Sequence, residues 1–100
     1  MESTGKGSPL EPLTLEGDID VGNADAVLAD LLHDLASRDL GDDDPVEIDC
    51  SGLTYLGSRG LQMLVQFRSR SGREIVLARL PVLMRRPFEI SGFDELFVFR

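Results

Sequence analysis

The sequence predicts an α/β fold built on a mostly parallel sheet, and three observations predict it. Apolar residues alternate at Leu13 and Leu15 and again at Val46, Ile48 and Cys50, the period of a strand. Between such runs, apolar residues recur at helical spacing. Finally, "EIVLA" (residues 74–78) is a short continuous apolar run, as expected of a strand buried on both faces of a sheet. Strands alternating with helices imply right-handed βαβ units and a sheet covered by helices.

The elements follow in order. Residues 1–9 are polar and rich in Gly and Ser, which predicts a loose tail ahead of a domain spanning 10–100. Leu13 and Leu15 alternate with Thr14 and Glu16, a strand ending at Gly17. In "NADAVLADLLHDLASR", Ala24, Val27, Leu28, Leu31, Leu32 and Leu35 form a helical stripe with Asn23 as candidate N-cap and Asp25 in the first turn. "LGDDDP" closes that helix and makes a turn. The strand Val46–Cys50 follows, and Leu53, Tyr55 and Leu56 add apolar weight after a turn at Ser51-Gly52. A second helix starts at about Ser58, with Leu61, Leu64, Val65 and Arg68 on one stripe and Met63 and Phe67 beside it. It stops near Ser71-Gly72, with Arg68, Arg70 and Arg73 close to its C-terminal dipole. After the "EIVLA" strand, Pro81 opens a third helix at the first helical position, which Pro87 should truncate or kink. "FDELFVF" supplies a short helical turn and a terminal strand.

Composition narrows the function classes. A chain of 100 residues, 42% hydrophobic and 28% charged, is an ordinary globular domain that buries roughly two-thirds of its unfolded surface. The net charge of −8 disfavours nucleic acid, whose phosphates call for concentrated Lys and Arg. The charge is uneven: residues 1–50 carry 14 acids and 2 bases, residues 51–100 carry 4 acids and 8 bases. Such asymmetry can steer a protein partner or simply reflect a solvated acidic helix face and turn. No apolar run approaches the ~20 residues that span a bilayer, and "MESTGKGSPLEP" lacks the apolar core of a secretory signal. Neither a membrane segment nor a signal is expected, and the expected compartment is the cytoplasm. The single Cys50 sits in a strand pattern, which predicts a small buried hydrophobe rather than a reactive thiol.

The stretch "IDCSGLTYLGSRGLQMLVQF" (residues 48–67) carries the most chemistry. It places Ser58 where a strand hands over to a helix, at or next to the N-cap, with Gly57 permitting the turn and Gly60 letting another backbone approach. Taken locally, Ser58 is a capping serine. Catalysis has little support, because a nucleophile needs a base and the only histidine, His33, lies on the first helix; the turn also lacks G-x-S-x-G spacing. Asp18, Asp20 and Asp25 invite a metal, yet an EF-hand loop from Asp18 would need a glutamate where Ala29 stands. "GKGS" at residues 5–8 lacks the flanking strand and helix of a phosphate loop and reads as tail. No catalytic residue, metal or cofactor is expected.

From Leu13 to the C-terminus the chain resembles a STAS domain, the fold of bacterial anti-sigma factor antagonists. The segments that carry the resemblance are "LEGDID" (family form Gly-Glu-Leu-Asp), "VEIDCSGLTYLGSRGLQML" (family form Asp-Leu-Ser-Gly-Val-x-Phe-Ile-Asp-Ser-Ser-Gly-Leu) and "ISGFDELFVF" (family form Thr-Gly-Leu-x-x-Leu-Phe). The resemblance implies a mostly parallel, mixed sheet of about four to five strands with about four helices. It also implies a phospho-switch: the serine aligned with Ser58 is phosphorylated by an anti-sigma factor with an ATP-binding serine kinase fold. The unphosphorylated antagonist binds that factor and frees the sigma factor; the phosphorylated one lets go. Two positions depart from the pattern. Gly57 stands where the family has an aspartate, and Arg59 stands where it has a small residue.

Three readings follow. The first is an anti-sigma factor antagonist regulated at Ser58, and the second, favoured by Gly57 and Arg59, is an unphosphorylated STAS interaction or scaffold module. The third is a small-ligand or nucleotide sensor using the same helix N-terminus as an anion site. Expected partner contacts are Gly57, Ser58, Arg59, Gly60, Gln62 and Met63, with Asp20, Val21 and Asn23 from a turn at the same sheet edge. Asp49 matches the family's strand aspartate, in either a structural or a contact role.

Overall fold

The first apolar alternation does not stop at Gly17. In a computed structural model describing residues 12–41 and 43–100, it runs on as two short strands, β1 (Leu13–Thr14) and β2 (Gly17–Ile19). The expected 1–9 tail and the 5–8 segment lie outside the described residues. The next extended run is likewise divided, into β3 (Val46–Asp49) and β4 (Leu53–Leu56), so the apolar weight after Ser51-Gly52 is a strand of its own. β1 pairs with β3 and β2 with β4, both in parallel. Thr14 lies opposite Asp49, Gly17 opposite Leu53 and Asp18 opposite Tyr55, so the second run gains one extra residue at each of two steps. Those bulges bend the ribbon. Amides bridge the bend, Leu15 N to Asp49 O at 3.0 Å and Gly17 N to Gly52 O at 3.0 Å.

β5 (Ile75–Ala78) and β6 (Val98–Phe99) complete a four-stranded sheet in the order β1-β3-β5-β6, and every pairing among the described residues is parallel. Three helices join the strands: α1 (Ala24–Ala36), α2 (Ser58–Ser71) and α3 (Val82–Ser91), with a 3-10 turn at Phe93–Leu96. This is the expected small α/β fold with a mostly parallel sheet.

Register explains the layering. Leu13, Ile48, Leu77 and Phe99 lie opposite one another in one row, while Glu47, Val76 and Val98 form a row facing the other way. The core cluster takes Leu13, Ile48 and Leu77 from the first row, together with Leu28 and Leu31 of α1, Met63, Leu64 and Phe67 of α2 and Phe88 of α3. All three helices therefore pack on one face. β5 is buried along its whole length, as its continuous apolar run predicts.

Four local expectations are corrected. The inward stripe of α2 is Gly60, Met63, Leu64 and Phe67, with Leu61 beside it; Val65 and Arg68 are only half-buried. Arg73 does not serve the α2 dipole but donates to the Gly41 and Asp44 carbonyls at 2.6 and 2.8 Å, pinning the acidic turn. Pro81 is the N-cap of α3 rather than its first residue. Pro87 does not truncate that helix, which continues to Ser91. Proline's missing amide would have bonded the carbonyl four residues back, at Leu83 in the exposed first turn, where water replaces it at low cost. Phe88, packed edge-to-face against Phe97 and Phe99 at 5.5 and 5.4 Å between centroids, fixes the second half of the helix. Gly72 ends α2 in the left-handed conformation (φ 67°), at the predicted stop.

Two features of the frame are testable. Asp49, at the end of β3, accepts from Arg79 Nε at 3.3 Å and from Ser51 N at 3.0 Å, and pairs with Arg79 Nη2 at 3.1 Å. These donors, the Arg79 guanidinium foremost, hold its carboxyl down to about 2. Because the folded value lies below the ordinary one of ~3.9, the stabilisation is complete above about pH 4 and is lost as pH falls through about 2. Denaturation of wild type and Asp49→Asn across pH 7 to 2 should show a stability gap that closes over that window; a constant gap would mean that the carboxylate charge is not what Arg79 and Ser51 hold. The second feature is Gly60, where a Cβ would meet Leu56 Cδ1 at 2.7 Å, Ile19 Cγ2 at 2.9 Å and Ile19 O at 3.0 Å. Alanine gains up to ~1 kcal/mol of helix propensity but overpacks a buried seat, so Gly60→Ala should lower unfolding free energy by about 1–2 kcal/mol in urea titration.

Candidate functional site

The site is built where β2 and β4 finish side by side. Ile19 lies opposite Leu56, and one residue on the Gly57 amide donates to the Ile19 carbonyl at 2.9 Å. α1 and α2 therefore start next to each other, at the carboxyl ends of parallel strands. Ligands and partners commonly meet an α/β fold at that edge.

α2 starts sharply. Gly57 is its N-cap and Ser58 its first residue, and the first intrahelical bond runs from Leu61 N to Gly57 O at 3.0 Å. The amides of Ser58, Arg59 and Gly60 precede that bond and have no partner within the helix. The Ser58 side chain is exposed and makes no hydrogen bond among the described residues, so it does not cap the helix. Gly57 adopts φ −81° and ψ 178°, an extended conformation open to any residue; the turn does not require glycine there. What occupies the space is Tyr55, because a Cβ on Gly57 would lie 3.2 Å from its Cε2 and 3.3 Å from its hydroxyl oxygen. Gly60 is needed for room, since the α2 backbone sits against the Ile19 carbonyl.

The facing turn is self-tied. Asp20 Oδ1 accepts from Gly22 N at 3.0 Å, and Asn23 Oδ1 accepts from Asp20 N at 2.9 Å. Asn23 Nδ2 donates to Asp18 O at 2.7 Å, so this side chain braces the turn instead of capping α1. The Asp20 carbonyl takes the Ala24 amide at 2.9 Å. Val21 is thereby held out at the tip, 79% exposed. A salt bridge joins the two helix starts: Arg59 Nη2 lies 2.6 Å from Asp25 Oδ1, and Arg59 Nη1 donates to Gln62 Oε1 at 3.4 Å. A cation in the first turn of α2 opposes the dipole, and Asp25, well placed in the first turn of α1, neutralises it.

Asp20, Val21, Asn23, Gly57, Ser58, Arg59 and Gln62 are thus gathered at one edge. Gly60 is buried beneath them as the seat of the helix. Met63 is not part of the exposed edge: it is 1% exposed in the core, because the inward stripe of α2 runs through it. Sequence reasoning missed three members of this edge. Tyr55 covers Gly57, Thr54 donates through its hydroxyl to Asp18, and Asp25 holds Arg59. Only the alternation around "LTYL" hinted at Tyr55; the bulged register that brings it beside Asp18 has no sequence signal.

Other chemistry finds little footing. Cys50 is fully buried, and burial pushes its thiol up to about 12, which keeps it protonated and unreactive. Asp18 and Asp25 are engaged by Thr54 and Arg59, and among the described residues no group of three or more His, Cys, Asp or Glu could hold a metal ion. A cavity of about 240 Å³ lined by Leu13, Leu35, Leu40, Pro45 and Val46 shares no residue with the Ser58 edge. A second, of about 200 Å³ between β1 and α1, is lined by Ile19 but by none of the exposed residues of the edge. No helix of the described residues is long and apolar enough to cross a membrane.

Comparison with known proteins agrees with this architecture. No curated protein matches the chain significantly. A family model described as "Mlab, STAS domain" matches residues 7–98, which includes every described element except the last residue of β6. The chain therefore belongs to the STAS domain family, whose members serve in general as protein-interaction modules.

Proposed function

We propose that this protein is a cytoplasmic, non-enzymatic anti-sigma factor antagonist, which binds an anti-sigma factor of the serine kinase type, frees a sigma factor and is turned off by phosphorylation of Ser58. The observation that carries the reading is the state of Ser58: exposed, at the first position of a 14-residue helix, with its hydroxyl committed to no bond among the described residues. A hydroxyl that capped the helix would have to be withdrawn before it could react. This one is available to a kinase at once.

The surroundings suit a switch. A phosphate adds roughly −1.5 to −2 charges and three acceptor oxygens. The free amides of the first α2 turn and the helix dipole favour such a charge, so the fold tolerates it. The same edge already carries Asp18, Asp20 and Asp25, however, and Arg59 beside them is held by Asp25. A partner fitted to the neutral hydroxyl meets a strongly anionic edge after phosphorylation.

One observation favours the second reading, a constitutive interaction module. Tyr55 lies against Gly57, where a Cβ would come within 3.2 Å of its ring, so a side chain at the family's aspartate position would have to displace it. Binding measured by calorimetry against the co-purified partner separates the two. Ser58→Ala should bind like wild type and resist phosphorylation, whereas Ser58→Asp should weaken the complex about 100-fold, equivalent to about 3 kcal/mol. Equal affinity of the two variants would leave the constitutive module.

A further inference from the structure

α3 is anchored by one side only. Phe88 is its buried residue, and Met84 is half-buried against the core. Its other side is apolar as well: Val82 and Leu83 are each 88% exposed and Ile90 is 75% exposed. At 3.6 residues per turn, Val82, Arg86, Ile90 and Leu83 fall within one arc of about 100°, facing away from Phe88. Arg86 sits in the middle of that stripe, exposed and with no hydrogen bond or ion pair among the described residues. Its neighbour Arg85 is used otherwise, lying 4.2 Å over the Phe99 ring and 3.9 Å from Glu89. Isolated exposed aliphatics need no explanation, but three on one arc around an unpaired cation do.

We propose that this stripe is a docking surface for a protein partner that lays an apolar strip along α3 and places a carboxylate against Arg86. The topology is compatible with it: α3 follows the parallel strand β5, so it starts on the carboxyl side of the strands, as α1 and α2 do, although β5 ends opposite Asp49 and the Ser58 turn lies beyond, at the end of β4. Among the described residues, four of the five large exposed hydrophobics, Val21, Tyr55, Val82 and Leu83, flank the three strand-to-helix junctions. A second copy of the chain fits poorly. Two α3 helices packed antiparallel about a twofold axis would set Val82 against Ile90 and Arg86 against Arg86, burying like charges together. A membrane surface fits poorly too, because one free cation on a ten-residue helix offers little attraction in a chain of net charge −8. The proposal rests on the antagonist reading in one respect: the partner is the one whose binding Ser58 controls.

The test uses the full chain and the protein that co-purifies with it from its native cells, expressed and purified in turn. Leu83→Ser and Arg86→Glu change exposed side chains and should leave the melting curve unaltered, while each weakens the complex at least tenfold. Reversing the partner's facing carboxylate to lysine should restore binding to Arg86→Glu. Wild-type affinity in both variants would overturn the proposal. So would a dimer of the isolated chain that Leu83→Ser dissolves in sedimentation, flotation with phosphatidylcholine–phosphatidylglycerol vesicles that depends on Leu83, or the lack of any protein retained by wild type and lost from both variants. If both α3 variants weaken the complex and Ser58→Asp does not, the docking surface stands and the phospho-switch falls.

Discussion

The close approach of α2 to the Ile19 carbonyl is the constraint on which the rest of the molecule depends. The Gly57 amide bonds that carbonyl at 2.9 Å, and the bare α-carbon of Gly60 lets the first helical turn lie against it. That seat fixes both the height and the phase of α2. Its phase decides that Met63, Leu64 and Phe67 turn inward, and its height decides that Ser58 emerges beside the turn after β2. The exposed edge and the core are therefore two consequences of one contact. Any side chain at residue 60 has to move Ile19 or Leu56, which are themselves buried.

Part of the uneven charge of the chain is taken up inside the fold. Arginines of the basic half reach back to the acidic half: Arg59 to Asp25, Arg73 to the carbonyls of the acidic turn, Arg79 to Asp49 and Arg100 to Glu47. These ties join segments distant in sequence, and most are exposed enough to be worth little individually. Their collective effect is on orientation, because each fixes where a turn or strand end sits. Arg79 takes up a left-handed backbone (φ 57°), which costs a non-glycine residue about 1 kcal/mol, while its side chain holds Asp49. Arg68, Arg70 and Arg86 of that half make no such tie among the described residues, and of these Arg86 alone lies in the exposed apolar stripe of α3.

Much of the fold was legible because it depends on local periodicity. The helical stripe from Ala24 to Leu35, the unbroken "IVLA" strand and the stop at Gly72 are written in neighbouring residues. What could not be read depends on pairing at a distance. The continuation of the first strand past Gly17, the separate β4 and the placement of Tyr55 beside Asp18 all follow from bulges in the register. Asn23 has the chemistry of a cap, yet the turn before it offers its side chain two backbone groups, and those prevail. Met63 and Arg68 show a smaller failure: the spacing of α2 supports two stripes one residue apart, and only the seat at Gly60 selects between them. At the site, the strand-to-helix serine and its glycines were visible, while the partners of Arg59 and the filling of the space at Gly57 were not.

Among the described residues the fold presents the Ser58 hydroxyl on a fixed helix end beside an acidic turn. Whether that hydroxyl is the point of control can be read directly. The purified chain is incubated with its co-purified ATP-binding partner and ATP, its intact mass is taken, and any addition is mapped by peptide sequencing. One phosphate on Ser58 is the predicted result; a stable complex in which the chain gains no mass would contradict the switch and leave a constitutive interaction module.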